Sequence, residues 1–184
     1  MNESLLARRY AKALLAYSQE LGEAEALYPI MKHLGQRLRP QSHERDVIGN
    51  PVIAEELREE FVVALAGNEA PTSLERFVKL VFDHNRESLL GEMARSFVRL
   101  YRTARGITYA RLESAHPLDE QTREKIVALI VAHCGGEVEL DTSVRESLIG
   151  GFVLRVDGRQ LDGSVAGRLE RIRRHFAEKN RSIV

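Results

Sequence analysis

SLIGGFVLRVDGRQLDGSVAGRLERIRRHF, residues 147–176, carries the sharpest change of periodicity in the chain. Residues 152–156 are a β-branched run, Asp157-Gly158 is a dipeptide that favours a two-residue primed turn, and residues 159–161 return as the second strand of a hairpin. After Asp162-Gly163 the spacing becomes helical. Ser164 suits an N-cap, Val165, Leu169, Ile172 and Phe176 fall on one stripe, and Arg168, Arg171, Arg173 and Arg174 cover the other faces. Two chemistries fit so many glycines: a backbone cradle for phosphate neutralised by the arginines, or a set of turns. Neither a Gly-x-x-x-x-Gly-Lys-Ser/Thr loop nor a Gly-x-Gly-x-x-Gly pattern occurs, which favours turns.

Upstream of this hairpin, helical spacing dominates. Residues 3–21 place Leu6, Tyr10, Ala13, Leu14, Tyr17 and Leu21 on one stripe, with Ala7, Ala11, Leu15 and Ser18 on a second beside it. A face that wide either is all core or meets the core on one side and another helix on the other. Residues 23–38 form a second helix, in which Pro29 implies a kink or a start near Leu27. Residues 41–49 form a short polar piece. Pro51 opens a fourth helix over 52–66, with Val52, Ile53, Leu57, Phe61, Ala64 and Leu65 inward. Thr72-Ser73-Leu74-Glu75 reads as a capping box for a fifth helix, whose Leu74, Phe77, Val78, Leu80, Val81 and Phe82 exceed one face. A sixth helix spans 87–104.

At Gly106 the pattern turns extended. A strand over 107–115, a helix over 120–134 capped by Asp119, a strand over 137–142, the hairpin and the last helix follow. The expected inner residues of the 120–134 helix are Ile126, Val127, Leu129, Ile130 and His133 or Cys134. The fold class is therefore mainly α: a six-helix N-terminal bundle over 1–105 and a small α/β domain over 106–184.

Composition narrows the function. Of 184 residues, 27 are Lys or Arg and 27 are Asp or Glu, so no net field draws the chain to nucleic acid or anionic lipid. Arg168, Arg171, Arg173, Arg174, Lys179 and Arg181 are the one feature favouring a basic nucleic-acid-binding module, but Glu170 and Glu178 interrupt them and Trp is absent. No apolar run spans a bilayer, so membrane association is expected only through partners. The single cysteine, Cys134, excludes an internal disulfide and is expected to be a buried, inert thiol; the six histidines are scattered. No catalytic constellation, metal set or cofactor motif is present, which leaves a binding or structural component.

Leu148-Ile149-Gly150-Gly151-Phe152, Arg155, Leu161-Asp162-Gly163-Ser164-Val165 and Arg168-Leu169-Glu170-Arg171-Ile172 closely resemble the C-terminal signature of the delta subunit of bacterial F-type ATP synthases, the oligomycin-sensitivity-conferring protein family. Ala7-Arg8-Arg9-Tyr10-Ala11-Lys12-Ala13-Leu14 resembles that family's N-terminal Arg-Pro-Tyr-Ala-Lys-Ala motif, with Arg9 in place of Pro. Asn85-Arg86 resembles its Asn-Gly-Arg turn, without the glycine.

The resemblance implies a stator component that holds the catalytic head to the peripheral stalk during proton-driven ATP synthesis. The implied chain is a monomer present once per complex, peripheral on the cytoplasmic face of the cell membrane. It further implies that an alpha subunit's N-terminal helix docks between the first and fifth helices, and that b subunits engage the C-terminal domain. Tyr10, Ala13, Phe77 and Leu80, with Leu6, Leu14 and Val81 nearby, would line the alpha groove, although the same side chains suit a bundle core. Gly150, Gly151, Asp162, Gly163 and Ser164 are the structural signature.

Overall fold

The computed structural model describes residues 3–67, 70–156 and 158–169, and the chain divides into two compact units, Met1–Ala104 and Arg105–Val184. In the first, helices α1 (Glu3–Glu20), α2 (Ala24–Arg37), α3 (His43–Ile48), α4 (Glu55–Ala66) and α5 (Thr72–Asp83) are followed by a 3-10 turn, Glu87–Leu89, and α6 (Leu90–Arg105). Burial explains the assembly. Ala7, Ala11 and Leu14 of α1, Leu27, Met31 and Leu34 of α2, Leu74, Val78, Val81 and Phe82 of α5, and Met93, Ala94 and Phe97 of α6 are almost wholly enclosed. Each large side chain among them contributes about 1.5–3 kcal/mol of transfer free energy. Of the two α1 stripes, Ala7, Ala11, Leu15 and Ser18 face inward, while Leu6, Tyr10 and Tyr17 are half-buried and Ala13 is exposed.

Both helices that matter below end in the same closure. Gly22, at φ 71°, lets its own N–H reach the Gln19 carbonyl at 3.2 Å and the Glu23 N–H reach the Ser18 carbonyl at 2.8 Å. At the end of α5, Asn85 takes the left-handed position at φ 51°, with Asn85 N–H donating to Phe82 O at 2.7 Å and Arg86 N–H to Val81 O at 2.9 Å. The glycine missing from the Asn-Arg turn is thus unnecessary, because asparagine tolerates this conformation. A close approach not anticipated from sequence sits at Gly91, where a Cβ would stand 2.3 Å from the Leu38 carbonyl oxygen, so the start of α6 lies directly against the end of α2.

Several expectations for this unit fail. Pro71, not Thr72, occupies the N-cap of α5, and no side chain of a capping box bonds there; the carboxylate that serves the helix start comes from Glu23. Helix α4 begins at Glu55, because the Asn50 side chain accepts the Val52 N–H at 3.0 Å and turns the chain at Pro51. Val52 and Leu57 are consequently 89% and 58% exposed instead of inward, and Ala64 is exposed too. Helix α2, by contrast, starts at Ala24, one residue from the expected start, which sets aside the alternative start near Leu27 and places Pro29 in its interior.

The second unit contains β1 (Thr108–Ser114), α7 (Glu120–Cys134), β2 (Val138–Val144), a 3-10 turn at Glu146–Leu148, β3 (Phe152–Val156) and β4 (Arg159–Asp162). Strand order is β2-β1-β3-β4. β1 pairs with β2 in parallel, as a crossover through α7 requires, and β3 pairs antiparallel with β1 and β4. Asp119 caps α7 by accepting the Thr122 N–H at 3.3 Å. Helix α7 packs Ile126, Val127 and Ile130 over Ala110, Leu112, Leu140 and Leu154 of the sheet. On the opposite face Glu113, nearly buried, meets Arg145 at 2.9 Å and Arg155 at 3.4 Å.

Helix α7 is less enclosed than its composition suggests. Leu129 is 62% exposed, and His133 and Cys134 are exposed as well, so the thiol is not the buried, inert group expected. A final helical segment is described over residues 165–169, and Val165 and Leu169, which share the apolar stripe read from sequence, are 41% and 54% exposed. Ile172 and Phe176, Arg171, Arg173, Arg174, Lys179 and Arg181 lie outside the described residues, as does Asp157 of the hairpin turn.

Candidate functional site

Helices α1 and α5 leave between them a surface cleft of about 420 Å³, lined by Arg9, Tyr10, Ala13, Leu14 and Tyr17 on one side and Ser73, Arg76, Phe77 and Leu80 on the other. The helices run antiparallel: Glu23 meets Ser73, Tyr17 meets Arg76, and Tyr10 meets Phe77, so rising numbers on α5 follow falling numbers on α1. The Tyr10 and Phe77 rings meet edge to face, with centroids 6.5 Å apart and planes at 70°. This contact closes the floor. Ala13, with no side chain beyond Cβ, keeps the α1 wall low, and Leu80, 45% exposed, stands on the opposite lip.

Five of the seven residues expected from sequence therefore converge here: Tyr10, Ala13, Leu14, Phe77 and Leu80. The other two do not. Val81 is fully enclosed in the bundle core, because it points a helical step away from Leu80, and Leu6 is half-buried on α1 outside the lining. Sequence reasoning missed Arg9, Tyr17, Ser73 and Arg76. Tyr17 was on the right stripe, and Arg76 lies four residues before Leu80 on the same helix face, a spacing that could have found it.

Polar groups are concentrated at one end. An Arg76 Nη1 donates to the Tyr17 hydroxyl at 2.5 Å, and the Ser73 N–H donates to Glu23 Oε2 at 2.9 Å. The Ser73 side chain and backbone N–H, helped by the Arg76 charge, hold the Glu23 carboxyl below its ordinary range. Glu23 thus serves the exposed N–H groups at the start of α5 while its backbone closes α1. Among the described residues no group of three or more His, Cys, Asp or Glu is gathered in a way that would hold a metal.

In the second unit the signature residues form a knot. Asp162 Oδ1 accepts from the Ser164 N–H at 2.9 Å and the Ser164 hydroxyl at 2.6 Å, and Ser164 Oγ accepts the Gly167 N–H at 2.9 Å. The Val165 N–H donates to Gly150 O at 2.9 Å, and a Cβ on Gly151, at φ 77°, would lie 2.3 Å from Gly163 O. These contacts use the glycines for close backbone packing, as the turn reading requires.

A family model described as the ATP synthase delta (OSCP) subunit matches residues 6–176. The chain belongs to the ATP synthase delta (OSCP) subunit family. Among relatives of the same family, the ATP synthase subunit delta of Phocaeicola vulgatus is 34% identical over 181 residues, 98% of either chain. That of Microcystis aeruginosa is 32% identical, covering 92% of this chain and 93% of its own. The fold matches a chain of the Toxoplasma gondii mitochondrial ATP synthase hexamer with a TM-score of 0.68 at 23% identity, over 94% of this chain and 97% of that one. As a delta-family member, the chain is a structural, non-catalytic subunit of the peripheral stalk of an F-type ATP synthase. No described helix is long and apolar enough to cross a membrane.

Proposed function

We propose that the α1/α5 cleft receives the N-terminal helix of an alpha subunit and that the second unit engages the C-terminal ends of the b subunits. One copy per complex, on the cytoplasmic face of the cell membrane, then holds the catalytic head to the peripheral stalk during proton-driven ATP synthesis. The observation that carries this reading is the cleft itself: a preformed apolar trough between two helices, about 420 Å³ in volume, fits an amphipathic helix laid lengthwise. A preformed trough requires little ordering on binding, so the joint is long-lived without chemistry.

Leu80→Asp is the informative substitution, since Leu80 is 45% exposed and its loss leaves the core intact, whereas Phe77 is only 5% exposed and Phe77→Asp would unfold the bundle as well as block the cleft. With the full chain and a synthetic peptide of the alpha N-terminus, Leu80→Asp is expected to weaken binding by about 2–4 kcal/mol, roughly 30- to 1,000-fold in Kd. Unchanged affinity in a folded variant would remove the cleft from the interface. Affinity purification from the native membrane tests the wider assignment, with alpha and b subunits expected to accompany the chain.

A further inference from the structure

We propose that the cleft selects its helix by charge as well as by shape, preferring one with carboxylates at both ends of its apolar stripe. This rests on the reading that the cleft receives a helix. The chain as a whole has equal numbers of basic and acidic residues, yet the only ionised side chains lining the cleft are Arg9 and Arg76. Among the described residues no carboxylate lies within ion-pair distance of either arginine. Arg9 makes no hydrogen bond, and Arg76 makes one, to the neutral Tyr17 hydroxyl. Glu23 feels the Arg76 charge, but its carboxylate is engaged with Ser73. Two cations thus flank an apolar floor without an ion pair among the described residues, although Arg76 feels Glu23 and also borders a neighbouring depression lined by Glu56, Glu59, Glu60 and Glu75.

Their spacing sets a pattern. Arg76 is fixed beside Tyr17, eight residues after Arg9 on α1, and eight residues of helix rise roughly 12 Å. A helix lying along the cleft meets both arginines with acidic side chains seven or eight positions apart, separated by apolar residues at three-and-four spacing that reach Tyr10, Phe77 and Leu80. A docked helix also excludes water from the trough, which strengthens each pair relative to a free surface. Arginine's planar fork matches a carboxylate in two-point fashion, and a lysine-bearing helix would be repelled.

The test uses the full chain and three synthetic amphipathic helical peptides that share one apolar stripe and carry Glu, Gln or Lys at its two ends. Binding is read by fluorescence anisotropy. The Glu peptide is expected to bind about tenfold tighter than the Lys peptide at low salt, the gap narrowing towards 1 M salt as screening shortens to roughly 3 Å. In the double variant Arg9→Glu with Arg76→Glu the order should invert. Arg9→Glu alone, at an exposed position without partners, should halve the preference on a logarithmic scale and keeps the test readable if loss of the Tyr17 bond unfolds the double variant. Equal binding of the three peptides, sensitive to Leu80→Asp, would overturn charge selection and leave helix docking standing. A preference that survives both arginine substitutions would also overturn it. Failure of every peptide to bind would overturn the docking reading together with this one.

Discussion

Asn85 shows how a single position tolerates a departure from its relatives' pattern. It holds φ 51° at the close of α5, a conformation that costs an L-residue with a branched Cβ about 1–2 kcal/mol but that asparagine and glycine accept. Asn85→Gly is therefore expected to leave stability within a few tenths of a kcal/mol. Asn85→Val should lower it by about 1–2 kcal/mol in denaturant unfolding, and equal stability of the two variants would show that the turn can close another way. Arg9 is the complementary case. A proline at its place, inside a helix already running from Glu3, would lack the N–H that reaches back to the Leu5 carbonyl, whereas arginine continues the helix and puts a cation on the lip of the cleft. Residue identity at both sites was legible in the sequence; its consequence was not, because backbone angle and partner geometry are set by the elements around them.

Between elements, the informative contact is the one made by Glu23. Its side chain serves the α5 N-terminus, replacing the capping box that Thr72-Ser73-Leu74-Glu75 suggested. The local pattern was misleading because Pro71 takes the cap position, which moves Thr72 and Ser73 into the helix; the acceptor that replaced it lies 50 residues away in sequence, beyond any local motif. Since the folded-state pKa of Glu23 is depressed, its contribution is fully present above the unfolded value of about 4.3 and is lost as pH falls through the lower folded value. Glu23→Gln should melt below the parent at pH 7, and the two melting curves should converge in acid. A constant gap down to about pH 2 would show that the carboxylate charge is not what stabilises the joint. Five of the seven residues that the family resemblance implied are among the nine that line the cleft. What helical spacing could not separate was lip from core: Leu80 and Val81 are neighbours in sequence, one 45% exposed and the other fully enclosed.

At the scale of the molecule, two units with separate cores suit a part that joins two others. The order of helices followed by a strand, crossover helix, strand and hairpin was readable from periodicity, because the repeat changes at Gly106 and again at Asp162. Exposure of Leu129 and Cys134 on α7 was not, since only the sheet decides which face of that helix it covers. One consequence of the Glu23 tie is mechanical. The two helices of the cleft are tied by hydrogen bonds at the Tyr17 end and by a ring contact between Tyr10 and Phe77 toward the Leu80 end, so a load entering a docked helix at the Leu80 end spreads the walls more readily than one entering at the Tyr17 end. A docked alpha peptide pulled from its two ends in turn should rupture at distinctly different forces, and Glu23→Gln should bring the two values together. The strength of such a coupling under torque would then depend less on how tightly it binds at rest than on which end the load enters.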